Sequence, residues 1–337
     1  MEPIHVLGTL RFTEGQLDKL RAVSPRLEVR QETCRNAEEV TIALHDEVEV
    51  LYTFHCPTTL DAVPRLRWVQ LHSAGSDHLL DTQLWQSDVI ITTTSGIHAT
   101  TIGEYVIASM LAFTRRFPRM FHFQQRAEWA SDRWKNFVGR ELRGSTICIV
   151  GYGSIGREVA RLARCLGMRV LAIKRNPENS IDTGFVMPGI GDPDGSIPEA
   201  IYPPQELRQA LARSDYVVLT VPSAPSTRGL IGREELRSMT DHAYLVNISR
   251  GNVIDQQALV CALREGWIGG AGLDVFDPEP LPAESPLWQL DNIIISPHVS
   301  GFTPHYDDYA TDLFAENLRR YLDGRPLLNQ VDRQRGY

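Results

Sequence analysis

The segments NISRGNVID, GLDVFDPEPLP and IISPHVSG each set one polar side chain, Arg250, Glu279 and His298, in an apolar or glycine-rich run. As a set they suit the reduction of a keto acid. Its carboxylate needs a cation and its carbonyl oxygen needs a proton as hydride reaches the carbon; arginine supplies the first and histidine the second. Glu279 is expected to pair with His298, because a neighbouring carboxylate stabilises the imidazolium and keeps its proton available near neutral pH. Each residue alone reads more readily as structural, since a lone histidine is usually a packing group and Asp-Pro-Glu-Pro is usually a turn. The joint occurrence points to chemistry. Each segment also follows a strand candidate, and in open α/β sheets the C-terminal ends of strands border the ligand crevice.

Upstream of all three lies GYGSIG, Gly151 to Gly156, immediately after the apolar run TICIV and before REVARLARCLG. Strand, glycine turn and helix together are the context that makes Gly-x-Gly-x-x-Gly informative as a dinucleotide site. Gly151 is expected to permit the tight turn, Gly153 to admit a pyrophosphate to the backbone, and Gly156 to let helix and strand pack closely. The amides of Ser154 and Ile155 then face phosphate oxygens from a helix N-terminus. A site for NAD usually carries an acidic residue about twenty positions further on, at the end of the next strand. Here that place is occupied by Ile173, Lys174, Arg175 and Asn176, with no carboxylate. A planar guanidinium and a point-charge ammonium suit a 2′-phosphate, so NADP is expected to be preferred over NAD.

The elements that position these groups follow from the rest of the chain. Its 337 residues correspond to about two domains at roughly 150 residues each. The first hundred residues alternate strand-like runs (IHVLGTL, RLEVRQ, EVEVLYTF, RLRWVQL, VIITTT) with helical stretches, and a second alternation begins at Ser145 with further strands at YVVLTVP, AYLVNIS, GGAGLDVF and NIIISPH. That rhythm predicts two parallel-sheet α/β layers. Thr101 to about Arg126 is apolar for too long to be a strand and is predicted as one helix. The following run to about residue 143 reads as a solvated connection or an arm that packs on a second subunit. Residues 176–204, rich in Pro and Gly, are predicted as an unusually long loop.

The net charge of −8 provides no overall pull toward nucleic acid or an anionic membrane. The apolar run Tyr105 to Phe113 falls far short of the ~20 residues of a membrane helix. Five scattered cysteines without a Cys-x-x-Cys spacing argue against both a disulfide framework and a metal site, and no basic-then-apolar leader is evident; a reduced, cytoplasmic setting is expected. With only three lysines, the sequence has neither a Walker phosphate loop nor a Tyr-x-x-x-Lys pair.

In the order GYGSIG, NISRG, LDVFDPEP and SPHVSG, with HSAGSDHLL at His72 to Leu80, the chain resembles the D-isomer-specific 2-hydroxyacid dehydrogenase family over nearly its whole length. The resemblance implies a Rossmann-type cofactor domain at 101–299, with a dimerisation helix and arm at about 101–143. It also implies a flavodoxin-like substrate domain made of 1–100 and 300–337, and a cleft between the two. By the same likeness Arg250 would bind the substrate carboxylate and polarise the carbonyl, His298 would be the acid and base, and Glu279 its partner. Ser73, Ala74 and Gly75 would complete the carboxylate site with backbone amides, and Asp274 would orient the nicotinamide amide. Val221, Pro222, Thr227 and Ile248 would line the cofactor. The family often has Pro-Leu-Thr-Pro where this chain has Pro222, Ser223, Ala224 and Pro225. A homodimer reducing a small 2-keto acid with NADP or NAD is therefore expected. Thr53, Phe54 and His55, or Trp134 and Trp288, are candidate walls for the substrate side chain. Two other readings share the fold: an NADH-sensing corepressor-like interaction protein, and a dehydrogenase acting on formate or phosphite.

Overall fold

The apolar runs that read as strands form strands, and every one pairs in parallel, in two separate sheets. The computed structural model describes residues 2–336. By internal packing the chain divides into two units. One comprises the chain up to Ile97, the stretch Thr183–Met187 and the chain from Thr303 onward; the other comprises His98–Asp182 and Pro188–Phe302.

In the first unit, strands β1 (Ile4–Gly8), β2 (Leu27–Gln31), β3 (Val48–Thr53), β4 (Trp68–Leu71) and β5 (Ile90–Thr92) lie in the order β2-β1-β3-β4-β5. This is the flavodoxin-like winding. The helix Glu14–Arg21 starts where Thr13 caps it, Thr13 Oγ1 accepting from Gln16 N while Gln16 Oε1 accepts from Thr13 N. The helix Tyr306–Leu322 closes one face by burying Ala310, Leu313, Phe314 and Leu318 against Tyr52 and Trp68. Among these apolar side chains runs a buried polar chain. Trp68 Nε1 donates to Thr92 Oγ1 (2.7 Å), which donates to Gln70 Oε1 (2.8 Å), which also accepts from Asn317 Nδ2 (3.2 Å).

The second unit holds β6 (Thr146–Val150), β7 (Arg169–Ile173), β8 (Ala200–Tyr202), β9 (Tyr216–Leu219), β10 (Tyr244–Asn247), β11 (Gly270–Leu273) and β12 (Ile293–Ile295), in the order β12-β11-β10-β9-β6-β7-β8. Strands β6, β9, β10 and β11 are buried along their whole length, as expected of parallel strands covered on both faces. The order reverses direction between β6 and β9, and such a switch point opens a crevice at the C-terminal strand ends.

Two expectations need correction. The apolar stretch from Thr101 is not one helix: Ala99–Thr114 stops, and Phe117–Gln125 starts afresh with a proline in its first turn. Pro118 cannot donate into a continuing helix, and Arg116 takes the break in a left-handed conformation at φ 61°. The second correction concerns residues 176–204, which contain a strand. Ala200–Tyr202 has no alternating pattern of its own and is held as an edge strand by β7, with Leu171 opposite Ala200.

Thr92→Val would leave the Trp68 ring N–H without its acceptor and Gln70 without one donor, all of these groups being fully buried. The expected loss is about 1–3 kcal/mol, read in urea unfolding as a lower midpoint at unchanged slope.

Candidate active site

The three polar residues of the opening motifs follow three consecutive strands. Arg250 comes after β10, Glu279 after β11 and His298 after β12, and these strands neighbour one another in the sheet. Because the strands are parallel, all three residues emerge at the same edge. His298 Nδ1 lies 2.9 Å from Glu279 Oε2, and both side chains are partly exposed. Glu279 is oriented from its other side, Oε1 accepting from Phe276 N at 2.8 Å.

Arg250 is brought to this loop by the glycine after it. A Cβ on Gly251 would stand 1.9 Å from the carbonyl carbon of Phe276, so the NISRG turn and the FDPEP loop touch backbone to backbone. Asn247, almost fully buried, fixes the turn: its Nδ2 donates to Arg250 O (3.0 Å), and its Oδ1 accepts from Ser249 N and Ser249 Oγ. Arg250 itself starts a short 3-10 turn with an extended backbone, and its Nη1 donates to Ser249 O.

Asp274, expected to face the nicotinamide, is fully buried. Its Oδ1 accepts from Ser296 Oγ (2.5 Å) and Val299 N (2.9 Å), and its Oδ2 accepts from Ser300 N (2.9 Å). In this arrangement it ties down the loop that carries His298, whose backbone is held in the left-handed region at φ 56°. Tyr105 joins the same network through Ser296 (2.6 Å), and burial pushes its phenol up. Neither Ser296 nor Tyr105 was singled out from the sequence; a serine and a tyrosine among apolar residues give no local signal.

The glycine turn has the shape a dinucleotide needs. A Cβ on Gly153 would meet nothing within 4 Å, whereas one on Gly156 would lie 2.3 Å from Gly151 O and one on Gly151 would lie 2.9 Å from Val221 N. Gly153 thus faces open space, while its neighbours serve close packing. Gly153 is the N-cap of the helix Ser154–Cys165, so Ser154 and Ile155 present first-turn amides that have no intrahelical acceptor. The turn fits a pyrophosphate. Across the switch point Thr220 Oγ1 donates to Gly151 O at 2.5 Å. Val221 and Pro222 follow β9, and Ile248 follows β10, buried. Thr227 Oγ1 donates to Pro222 O (2.7 Å) and accepts from Ala224 N (2.9 Å), so it folds its own loop. Lys174 follows β7, its ammonium donating to Asn179 O, and Arg175 beside it is exposed.

In the first unit, Ser73, Ala74 and Gly75 follow β4 in a turn closed by Ser73 Oγ donating to Gly75 O (2.8 Å) and anchored by Thr94 N donating to Ser73 O (3.0 Å). Next to it Ser76 is buried, with an Oγ that has no hydrogen-bond partner among the described residues. The sequence had not marked it. His72 opens the loop, with Nδ1 2.7 Å from the Tyr52 hydroxyl, and burial holds its ring below the usual histidine range. Of the side-chain candidates, Thr53 is fully buried and donates to His55 O (2.6 Å), while Phe54, Trp134 and Trp288 are exposed.

The model of the family described as D-isomer specific 2-hydroxyacid dehydrogenase, NAD binding domain, matches residues 107–300, more than half of the chain. The chain belongs to the D-isomer-specific 2-hydroxyacid dehydrogenases. It is 34% identical to a glyoxylate reductase of Thermococcus onnurineus over 98% of this chain and 96% of that one. A glyoxylate reductase of Thermococcus kodakarensis is 36% identical over 78% of this chain and 76% of its own. Among solved structures, a family member from Xanthobacter autotrophicus in complex with NADPH and MES superposes over both full chains with a TM-score of 0.80 at 28% identity. The protein is thus an oxidoreductase of the CH–OH group using NAD or NADP.

Gly251→Ala would force the Phe276–Asp277 backbone away, and with it the amide that holds Glu279. Expected outcomes are a lower melting temperature and a fall in kcat larger than any change in cofactor affinity, measured by thermal unfolding and steady-state kinetics on the same preparation.

Proposed function

We propose that the protein reduces a small 2-keto acid of the glyoxylate or hydroxypyruvate kind to its D-2-hydroxy acid, with NADPH preferred over NADH. The observation that carries this reading is the 2.9 Å pair between His298 Nδ1 and Glu279 Oε2 at the strand ends beside Arg250. Glu279 fixes the tautomer and ring plane of His298 from one side, so Nε2 is the nitrogen left to exchange a proton with the substrate oxygen. Arg250 is assigned to the substrate carboxylate and to the charge that develops on the carbonyl oxygen. The bound nicotinamide supplies the hydride. The amides of Gly153, Ser154 and Ile155 hold its pyrophosphate, and Lys174 with Arg175 takes the ribose 2′-phosphate. Ser73, Ala74 and Gly75 of the first unit offer amides to the carboxylate, which makes that unit the substrate domain and the second the cofactor domain.

The homodimer belongs to the same reading. Phe121, Trp129 and Trp134 are 57%, 86% and 81% exposed. Phe121 also lines a groove of about 720 Å³ in which Phe113, Phe123 and Ile293 alternate with Arg116, Arg119 and Arg126. An exposed apolar surface of this kind marks an association face.

His298→Ala is expected to lower kcat for glyoxylate by about 10² to 10⁴-fold while leaving the dissociation constant for NADPH unchanged; near-normal turnover would refute the acid–base assignment. Oxidation of NADPH and of NADH over a panel of 2-keto acids tests substrate class and cofactor choice together, with a higher kcat/KM expected for NADPH. Equal values for both cofactors would overturn the preference. Light scattering of the intact protein and of Trp129→Ser/Trp134→Ser tests the dimer: loss of tight association is expected in the variant.

A further inference from the structure

The insertion between β7 and β8 has no part in the reactions described so far, yet it is fastened to the glycine turn by charged groups buried under it. Arg157, one position past Gly156, is 2% exposed. Its guanidinium donates to Asp192 O through Nη1 and to Ser180 O through Nη2, lies 3.5 Å from Asp182 Oδ2, and stacks 4.8 Å from the centre of the Tyr152 ring. Tyr152 is the variable residue of Gly-x-Gly, and its hydroxyl donates to Asp192 Oδ2. The same carboxylate accepts from Ser196 N and Ile197 N, each at 3.1 Å. Glu158, also buried, accepts from Gly191 N at 2.7 Å while Arg161 clamps it from the other side.

One end of this network reaches the cofactor position. Ser180 is the residue after Asn179, whose carbonyl receives the ammonium of Lys174. An ammonium has three protons, so the contact fixes the lysine while leaving others to donate. Burial is also costly for a guanidinium: here two of its nitrogens are met by the insertion's carbonyls, while Nε faces Asp182 Oδ2 at 3.5 Å as an ion pair without a hydrogen bond.

We propose that Arg157 is a positioning residue for cofactor choice: it holds the Asn179–Ser180 segment where that segment sets the Lys174 ammonium to receive a ribose 2′-phosphate. The proposal rests on the reading that Lys174 binds that phosphate. It separates two functions of one motif. The glycines and helix amides serve the pyrophosphate that both cofactors share, and Arg157 with Tyr152 and Asp192 serves the group that distinguishes them.

Binding of 2′,5′-ADP and of 5′-AMP, followed by calorimetry, reads this without any turnover. The wild type is expected to bind 2′,5′-ADP more tightly. Arg157→Met is expected to weaken 2′,5′-ADP about tenfold, the size of one charge-assisted contact, and to leave 5′-AMP within about twofold. Lys174→Ala should show the same selective loss, and the double variant should lose little more than either alone, because the two act through one contact. If Arg157→Met weakens both nucleotides alike, Arg157 only supports the turn and the proposal falls. If Lys174→Ala loses the discrimination and Arg157→Met keeps it, the cofactor reading stands and this proposal alone falls. A wild type that binds the two nucleotides equally overturns both. Should Arg157→Met fail to fold, Tyr152→Phe removes one hydroxyl and keeps the ring; a selective loss of about threefold on 2′,5′-ADP is expected, and unchanged discrimination overturns the proposal.

Discussion

The fully buried carboxylate of Asp274 is the contact on which the geometry at the strand ends of the second unit's β11 and β12 depends. A carboxylate without water is tolerated only when its oxygens are filled, and here a serine hydroxyl and two backbone amides fill them. All of these donors come from the loop after β12. The loop has no regular structure of its own and would otherwise be free to wander. Folding therefore converts the cost of burying one charge into a fixed position for His298. Glu279 is fixed by the same economy of parts, one oxygen on a backbone amide and the other on the imidazole. The result is a histidine–carboxylate pair whose two members sit on separate loops, both held by the segment that follows β11.

Electrostatics in the second unit works locally against the overall balance. The net charge of −8 gives the chain no overall electrostatic pull toward polyanions. Around the glycine turn Lys174 and Arg175 after β7 and the buried Arg157 near the start of the helix Ser154–Cys165 are interleaved with the carboxylates of Asp182, Asp192 and Glu158. Arg157 in turn meets Asp182 and the Asp192 carbonyl, so the positive centre is embedded rather than exposed. Under the proposed cofactor choice, a ribose 2′-phosphate would meet Lys174 and Arg175 at the end of this network.

Much of this was legible in the sequence, for physical reasons that differ by feature. Strands such as TICIV and YVVL announce themselves because a strand buried on both faces must be apolar throughout. The glycine turn is legible because side chains are excluded at set positions, whereas the need for glycine at Gly251 emerges only from its backbone contact with Phe276. The pairing of His298 with Glu279 was expected from the joint occurrence of an imidazole and a carboxylate in the late motifs and from the family resemblance. What stayed hidden depends on partners distant in the chain: Asp192 means nothing until Tyr152 is seen beside it, and the hold of Asp274 on Ser296, Val299 and Ser300 shows only once β11 and β12 lie side by side. The break at Arg116 was present as Pro118 but was outweighed by the unbroken apolarity on both sides.

The first unit is sealed late. Its sheet is laid down in the opening hundred residues, but the face formed by Tyr52 and Trp68 is covered by Ala310, Leu313, Phe314 and Leu318 of the helix Tyr306–Leu322. On the ribosome, five strands therefore wait with a bare apolar face while the entire second unit is synthesised. The unit that comes second in the chain completes first, reversing the usual N-terminal-first order of domain folding. During that interval the face of Tyr52 and Trp68 lacks the cover that residues 306–322 later give it.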